Sequence, residues 1–272
     1  MNILTFNIVD WFHSYKNRNE CSAHIWKTIP SRVEVNTEFI LDKLQESNLK
    51  ATFFVLGWVA EYYPSLIKKI HNAGHEIGAL SNWYHRASKL VPSDFEKDLV
   101  LCLSKLENII GEKVEIYRAP GFSLQLEDQW AFEILNSNGI RIDSSVALSG
   151  FSQKSPIIID TEASQIVELP LVKSIFGIPY TGDSYFRAMP KFVYNSLFNE
   201  KKTGINNDNY RLFYFYPHDF GQSTPRSNLY TLYKNELIRY NTDISMNRLM
   251  QILDTEGSYT IVEAANRILN KV

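Results

Sequence analysis

Cysteine is scarce, with two in 272 residues, Cys21 and Cys102. That is too few for a disulfide framework, and Cys102 sits in an apolar helical pattern that reads as a buried free thiol. An excess of charge of either sign is also missing. The formal net charge is −2, which gives no general pull toward nucleic acid or an anionic membrane. No stretch approaches the roughly 18 consecutive apolar residues of a membrane span. The opening residues, MNILTFNIVDWF, lack a basic segment, a long apolar run and a small-residue cleavage site, so they do not read as a signal peptide. The expectation is a soluble cytoplasmic protein with no nucleic-acid partner and no membrane insertion. No linker, repeat or low-complexity tract interrupts the chain, so a single domain over 1–272 is the simplest fit.

What is present is apolar and aromatic. Aromatics make up 13% of the chain, which implies a rich core or a surface on which flat rings meet the apolar faces of sugars. Residues 3–9 form a short strand-like run, followed by a long irregular segment to about residue 31 carrying Trp11, Phe12, His13 and Trp26. Periodicity then predicts helices over 33–48, 60–74, 92–111 and 127–139, separated by strands at 50–57, 75–80, 113–121 and 140–146. In the 92–111 helix, Ser93 is placed to cap and Gly111 to stop. Strands over 155–160, 165–172 and 211–217 and helices over 190–200 and 260–272 follow with weaker periodicity. The βα alternation, with strands rich in β-branched residues, predicts a mainly parallel sheet covered by helices. Functional groups in such folds gather at the C-terminal strand ends. Here those ends are Asn7 to Asp10, Leu80 to His85, Arg118 to Gly121, Asp143 to Ser145 and Tyr216 to Asp219, and they are expected to converge on one cleft.

One stretch, GHEIGALSNWYH (74–85), looks like the approach to a metal site. Its histidines, His75 and His85, are ten residues apart, whereas single-segment sites usually space them about three to five apart.

Several strings resemble the NodB-type polysaccharide deacetylases. LTFNIVDWFH is similar to the first motif of the branch that reads T-F-D-x-E-D-[YW]-F-H. Residues 32–77 follow that branch almost throughout, YRAPGFS resembles its third motif, and VELP, DSYFRAMP and FYFYPHDF resemble its C-terminal half. The resemblance runs over about 3–226 and implies a distorted (β/α) barrel of the NodB homology type. It also implies a chemistry: a divalent metal polarises an N-acetyl carbonyl and activates water, an Asp serves as base, and a late-strand His protonates the leaving amine.

The active positions depart from that pattern. Asn7 stands at the base position and Val9 at the ligand carboxylate, while Leu80 and Tyr84 fall on the two metal histidines. Tyr216 takes the place of the acid His, and His218 lies two residues on. Arg118, which pairs with the base in the family, is kept. An amide cannot take a proton at neutral pH. Losing metal activation of water, a pKa drop from about 15.7 to about 7, forfeits roughly 12 kcal/mol of driving force for making hydroxide. The chain is therefore expected to lack the metal-dependent reaction, to carry no cofactor, and to bind a glycan, sugar or nucleotide-sugar in the ancestral cleft. A polysaccharide-biosynthesis protein is an additional candidate partner.

The substrate-binding candidates are Asn7, Asp10, His13, Tyr84, His85, Arg118, Tyr185, Arg187, Tyr216 and His218, with no catalytic residue assigned. Arg118 is expected either to pair with Asp10 or Asp219 or to bind an anionic sugar group. Two alternatives stay open. His85, His218, Asp219, Asp10 and His13 could form a shifted metal site, or the chain could hydrolyse a sugar amide with relocated residues.

Overall fold

The computed structural model describes residues 1–13, 23–148, 155–173, 180–190, 193, 210–221, 225 and 240–269. Its strands are β1 (Asn2–Ile8), β2 (Thr52–Leu56), β3 (Glu76–Ser81), β4 (Ile116–Tyr117), β5 (Ile142–Asp143), β6 (Ala147–Leu148), β7 (Ile157–Asp160), β8 (Gln165–Glu168), β9 (Leu171–Val172) and β10 (Arg211–Phe215). Its helices are α1 (Ala23–Trp26), α2 (Val33–Glu46), α3 (Gly57–Tyr62), α4 (Pro64–Asn72), α5 (Pro92–Ile110), α6 (Gln129–Ser137), α7 (Asp183–Ala188), α8 (Thr242–Glu256) and α9 (Ile261–Leu269).

Eight strands form one curled sheet in the order β10-β1-β2-β3-β4-β5-β8-β7, the distorted (β/α) barrel expected from the sequence. Every neighbouring pair in it is parallel except β7 with β8. β1 lies between β2 and β10, so strands from the two ends of the chain sit side by side. Asn2–Phe6 lines up with Arg211–Phe215, and Asn7 opposes Phe54. β1 and β2 are buried along their whole length, as a parallel sheet covered on both faces requires. The core at its centre is aromatic: Phe6 stacks on Phe53 at 5.1 Å and meets Phe215 and Phe220. Cys102 is buried on α5 and its thiol is pushed up to about 12 by burial, so it is inert packing. Cys21 lies outside the described residues.

Two local expectations change. α5 begins one residue before Ser93, with Pro92 in its first turn and no side-chain cap, because proline's fixed φ and missing N–H suit that position without one. α8 was not anticipated. Its buried residues Met246, Leu249, Ile252 and Leu253 carry the helical spacing that could have found it. Gly111 ends α5 in the left-handed conformation, φ +79°, as expected. The helix expected over 190–200 lies outside the described residues apart from Pro190 and Val193. Among the described residues no helix is long and apolar enough to cross a membrane.

Candidate functional site

The strand ends bring one compact group together around Arg118, which follows β4. Its guanidinium donates to Thr5 Oγ1 at 2.8 Å and Asn7 Oδ1 at 3.1 Å on β1, and to the Ser144 carbonyl at 3.2 Å and Ser144 Oγ at 3.0 Å after β5. It lies flat over the Phe54 ring at 3.9 Å, with Phe122 at 5.0 Å. Only 1% of the residue is exposed. Burial lowers Arg118 to about 9, so it stays charged at neutral pH.

The expected partners of this charge, Asp10 and Asp219, do not reach it, because each is held elsewhere. The carboxyls that act on Arg118 are Asp143 and Glu168, side by side on β5 and β8. Burial raises both, and the Asp143 charge helps hold Glu168 well above the usual carboxylate range. Ser145 Oγ donates to Asp143 at 2.6 Å, and the Val146 N–H donates to Glu168 at 3.1 Å. Among the described residues, the acceptors that Arg118 touches are all neutral. An Asn7→Asp variant is expected to gain about 1–2 kcal/mol by giving it a direct counter-charge. The Arg118 charge depresses the new carboxyl's pKa, so the gain is present above the ordinary Asp range and is lost as pH falls through the depressed value. Thermal melts at pH 7 and pH 3 check this; an equal difference from wild type at both pH values would contradict it.

Across the cleft, the Tyr84 hydroxyl meets the Tyr216 hydroxyl at 3.3 Å. These are the positions at which the resemblance places a metal histidine and the acid histidine. Tyr216 is buried, and its phenol is raised well above 10, first by burial and then by neighbouring phenols and Asp183. It stays a neutral hydroxyl. Leu80, at the other histidine position, is buried in the apolar core. The β2–β3 register slips there, Val55 opposing Ala79 and Leu56 opposing Ser81, so Leu80 is the extra residue between them. Bulges of this kind re-aim side chains beside active sites. Val9 is also fully buried and apolar.

The loop after β3 keeps its shape through residues the sequence did not single out. Asp98 on α5 accepts from the Asn82 and Trp83 N–H groups at 2.7 and 3.2 Å, and Ser81 Oγ accepts from the Tyr84 N–H at 2.8 Å. These bonds hold Tyr84 at φ +58°, a conformation that costs a non-glycine residue about 1 kcal/mol or more.

The remaining candidates divide. Asp10 is spent on structure: its carboxylate accepts from the Trp11, Arg32 and Val33 N–H groups and from Ser31 Oγ, which satisfies the start of α2. His13 is buried against Phe12, Trp26 and Trp58 at ring distances of 4.4–4.8 Å, and its Nδ1 accepts from the Asp10 N–H. Burial holds it well below 6.5, so it is a neutral ring in an aromatic cage. Arg187 forms a fully buried ion pair with Asp219 at 3.1 Å and donates to the Tyr240 carbonyl. Asp219 also accepts from the Tyr216 N–H at 2.8 Å. Arg187 therefore locks α7 to the turn after β10 rather than facing a ligand. His218 stacks on Tyr216 at 5.3 Å and is lowered to about 4 by burial and then Arg187. Tyr185 is 48% exposed on α7, and His85 is half-buried beside Tyr84.

The metal implied by the resemblance does not fit these residues. Two of the three ligand positions hold buried aliphatic side chains and the third a phenol engaged with Tyr216. The shifted site fails as well. Asp10, His13 and Asp219 are committed to separate partners, and no group of three His, Cys, Asp or Glu among the described residues could hold an ion.

Residues 18–141 match the family model for polysaccharide deacetylase, and residues 143–265 match the model named Domain of unknown function (DUF3473). The N-terminal half of the chain is thus similar to the polysaccharide deacetylases, and the second model takes up the rest. It is 35% identical over 98 residues to a peptidoglycan-N-acetylglucosamine deacetylase of Bacillus cereus, a match covering 36% of each chain. The aligned part is thus about a third of that relative's length. Its fold is that of a protein assigned as a polysaccharide deacetylase from Mycobacterium smegmatis, at TM-score 0.69 and 15% identity over 99% of this chain and 90% of that one. A CE4 family pseudoenzyme from Bacillus anthracis matches at TM-score 0.50 and 16% identity, over 97% of this chain and 64% of that one. The boundary between the two family models falls at Ile142, the first residue of β5, which pairs with β4. These strands are paired neighbours, so one sheet carries both halves.

Proposed function

We propose that this chain belongs to the polysaccharide deacetylase family and serves carbohydrate metabolism, at a surface polysaccharide, by binding a glycan, sugar or nucleotide-sugar without metal-dependent deacetylation. The contact between the Tyr84 and Tyr216 hydroxyls carries the reading. Two phenols close the space in which a metal ligand and an acid would work, and Tyr216 is held well above its ordinary range by burial. Asn7 supplies an acceptor for Arg118 but no base. The residue types left at these strand ends, hydroxyls, an amide and aromatic rings, suit sugar hydroxyls and ring faces. The pseudoenzyme from Bacillus anthracis is a precedent for this fold without its reaction.

Two assays on one preparation test the reading. Acetate release from N-acetylglucosamine oligomers, supplied with Zn²⁺, Co²⁺ or Ni²⁺, is expected to stay at the no-protein background, while titration against an oligosaccharide panel shows saturable binding weakened by Tyr216→Phe. Metal-stimulated turnover would overturn the loss of chemistry. No binding to any glycan would overturn the ligand class.

A further inference from the structure

We propose that Asp183 is the carboxylate with which this cleft grips its ligand, and that the ligand is a sugar presenting hydroxyl or amine hydrogens rather than an acidic sugar. The inference rests on the reading of the cleft as a glycan site and names its anchoring group and preferred polarity.

The other carboxyls near the strand ends are held by structural partners. Asp10 satisfies α2, Asp98 holds the loop after β3, and Asp219 holds Arg187 and the Tyr216 N–H. Asp143 and Glu168 are inaccessible, both at 0% exposure. Asp183 differs on each count. It is half-buried, its Oδ1 accepts from the Ser184 N–H, and its second oxygen has no hydrogen bond among the described residues. Its chain neighbour Gly182 bridges to Tyr214 on β10, two residues before Tyr216, and its charge acts on both phenols.

The backbone aims this carboxylate. Gly182 bridges to Tyr214 on β10, and a Cβ there would lie 1.9 Å from the Tyr214 carbonyl oxygen. The next residue, Asp183, is left at φ +54°. An aspartate in the left-handed region stores about 1 kcal/mol or more of strain, so the position is held against a local cost, a feature concentrated at functional sites.

The ligand's polarity follows from what is within reach. Arg118 has given four hydrogens to Thr5, Asn7 and Ser144 and is 1% exposed. Arg187 is equally buried and paired with Asp219. A carboxylate or phosphate entering beside Asp183 would meet its charge, while Arg118 and Arg187 are both buried and already engaged. Hydroxyls or a free amine would donate to it, and the charge-assisted bond is stronger than a neutral one.

The test is calorimetric titration of the full chain with four hexamers: β-1,4-linked glucose, N-acetylglucosamine, fully deacetylated glucosamine and galacturonic acid. Wild type is expected to bind at least one of the first three about tenfold or more tighter than the galacturonate, and Asp183→Asn and Asp183→Gly to weaken that binding about tenfold or more. Asp183→Gly also relieves the positive φ, so it should melt no lower than wild type, which separates lost binding from lost folding. Equal affinity in wild type and both variants, or a preference for the galacturonate, would overturn the role of Asp183 and leave the glycan-site reading standing. No binding of any hexamer by wild type would remove that reading, and this inference with it.

Discussion

A variant carrying Asn7→Asp, Val9→Glu, Leu80→His, Tyr84→His and Tyr216→His is expected to bind one equivalent of Zn²⁺, Co²⁺ or Ni²⁺ where wild type binds none. The backbone for that site is already built. Asn7 lies in register with Phe54, on whose ring Arg118 rests, and Arg118 already donates to the side chain at position 7. The β2–β3 slip at Leu80 and the Asp98-held turn that fixes Tyr84 keep the loop in shape without a metal to organise it. The Tyr84 and Tyr216 hydroxyls already touch, so side chains at those two positions face the same space. Metal sites of this kind reach apparent binding energies of about 10 kcal/mol when the ligands are placed correctly, and bound metal stabilises by mass action. The variant should therefore melt low in chelator and rise on metal addition. Equilibrium dialysis followed by elemental analysis reads the stoichiometry. No bound metal in a folded variant would mean that these positions do not correspond to the ligand set.

Replacing Asp10 by alanine is expected to cost about 3 kcal/mol of stability, lowering the melting temperature by on the order of 5–10 °C, without altering ligand affinity. Its carboxylate is the shared acceptor for three N–H groups and Ser31 Oγ at the entrance of α2. Buried donors left without it pay their full desolvation cost. Asp10→Asn, which keeps one oxygen, should recover part of the loss. Differential scanning calorimetry together with glycan titration separates the two roles. A stable variant with lost binding would return Asp10 to the ligand site.

The order of strands and helices was readable because hydrophobic periodicity and glycine stops are local. The 92–111 helix and its left-handed Gly111 follow from neighbours a few residues away. The meeting of Asn7 and Arg118 was readable from the motif resemblance, and the gathering of strand ends from the parallel sheet they belong to. The fate of the carboxyls was not. Asp10 and Asp219 looked equivalent to Arg118 partners in sequence, yet one turns to a helix start 22 residues on and the other to Arg187. Which acceptor a buried charge finds depends on where helices land in three dimensions. Asp183 was invisible for a related reason. TGDS reads as an ordinary turn, and neither the positive φ nor the oxygen without a hydrogen bond among the described residues has a sequence signal. His13 carried the right chemistry for a ligand, but the packing of Trp26 and Trp58 around it, from two separate segments, made it a neutral core ring.

The most direct test of the central claim is elemental analysis of the purified wild-type chain after incubation with Zn²⁺, Co²⁺ and Ni²⁺ and removal of loosely held ions. Val9, Leu80 and Tyr84 at the three ligand positions predict metal at background, far below stoichiometric. One tightly held equivalent per chain would contradict the account.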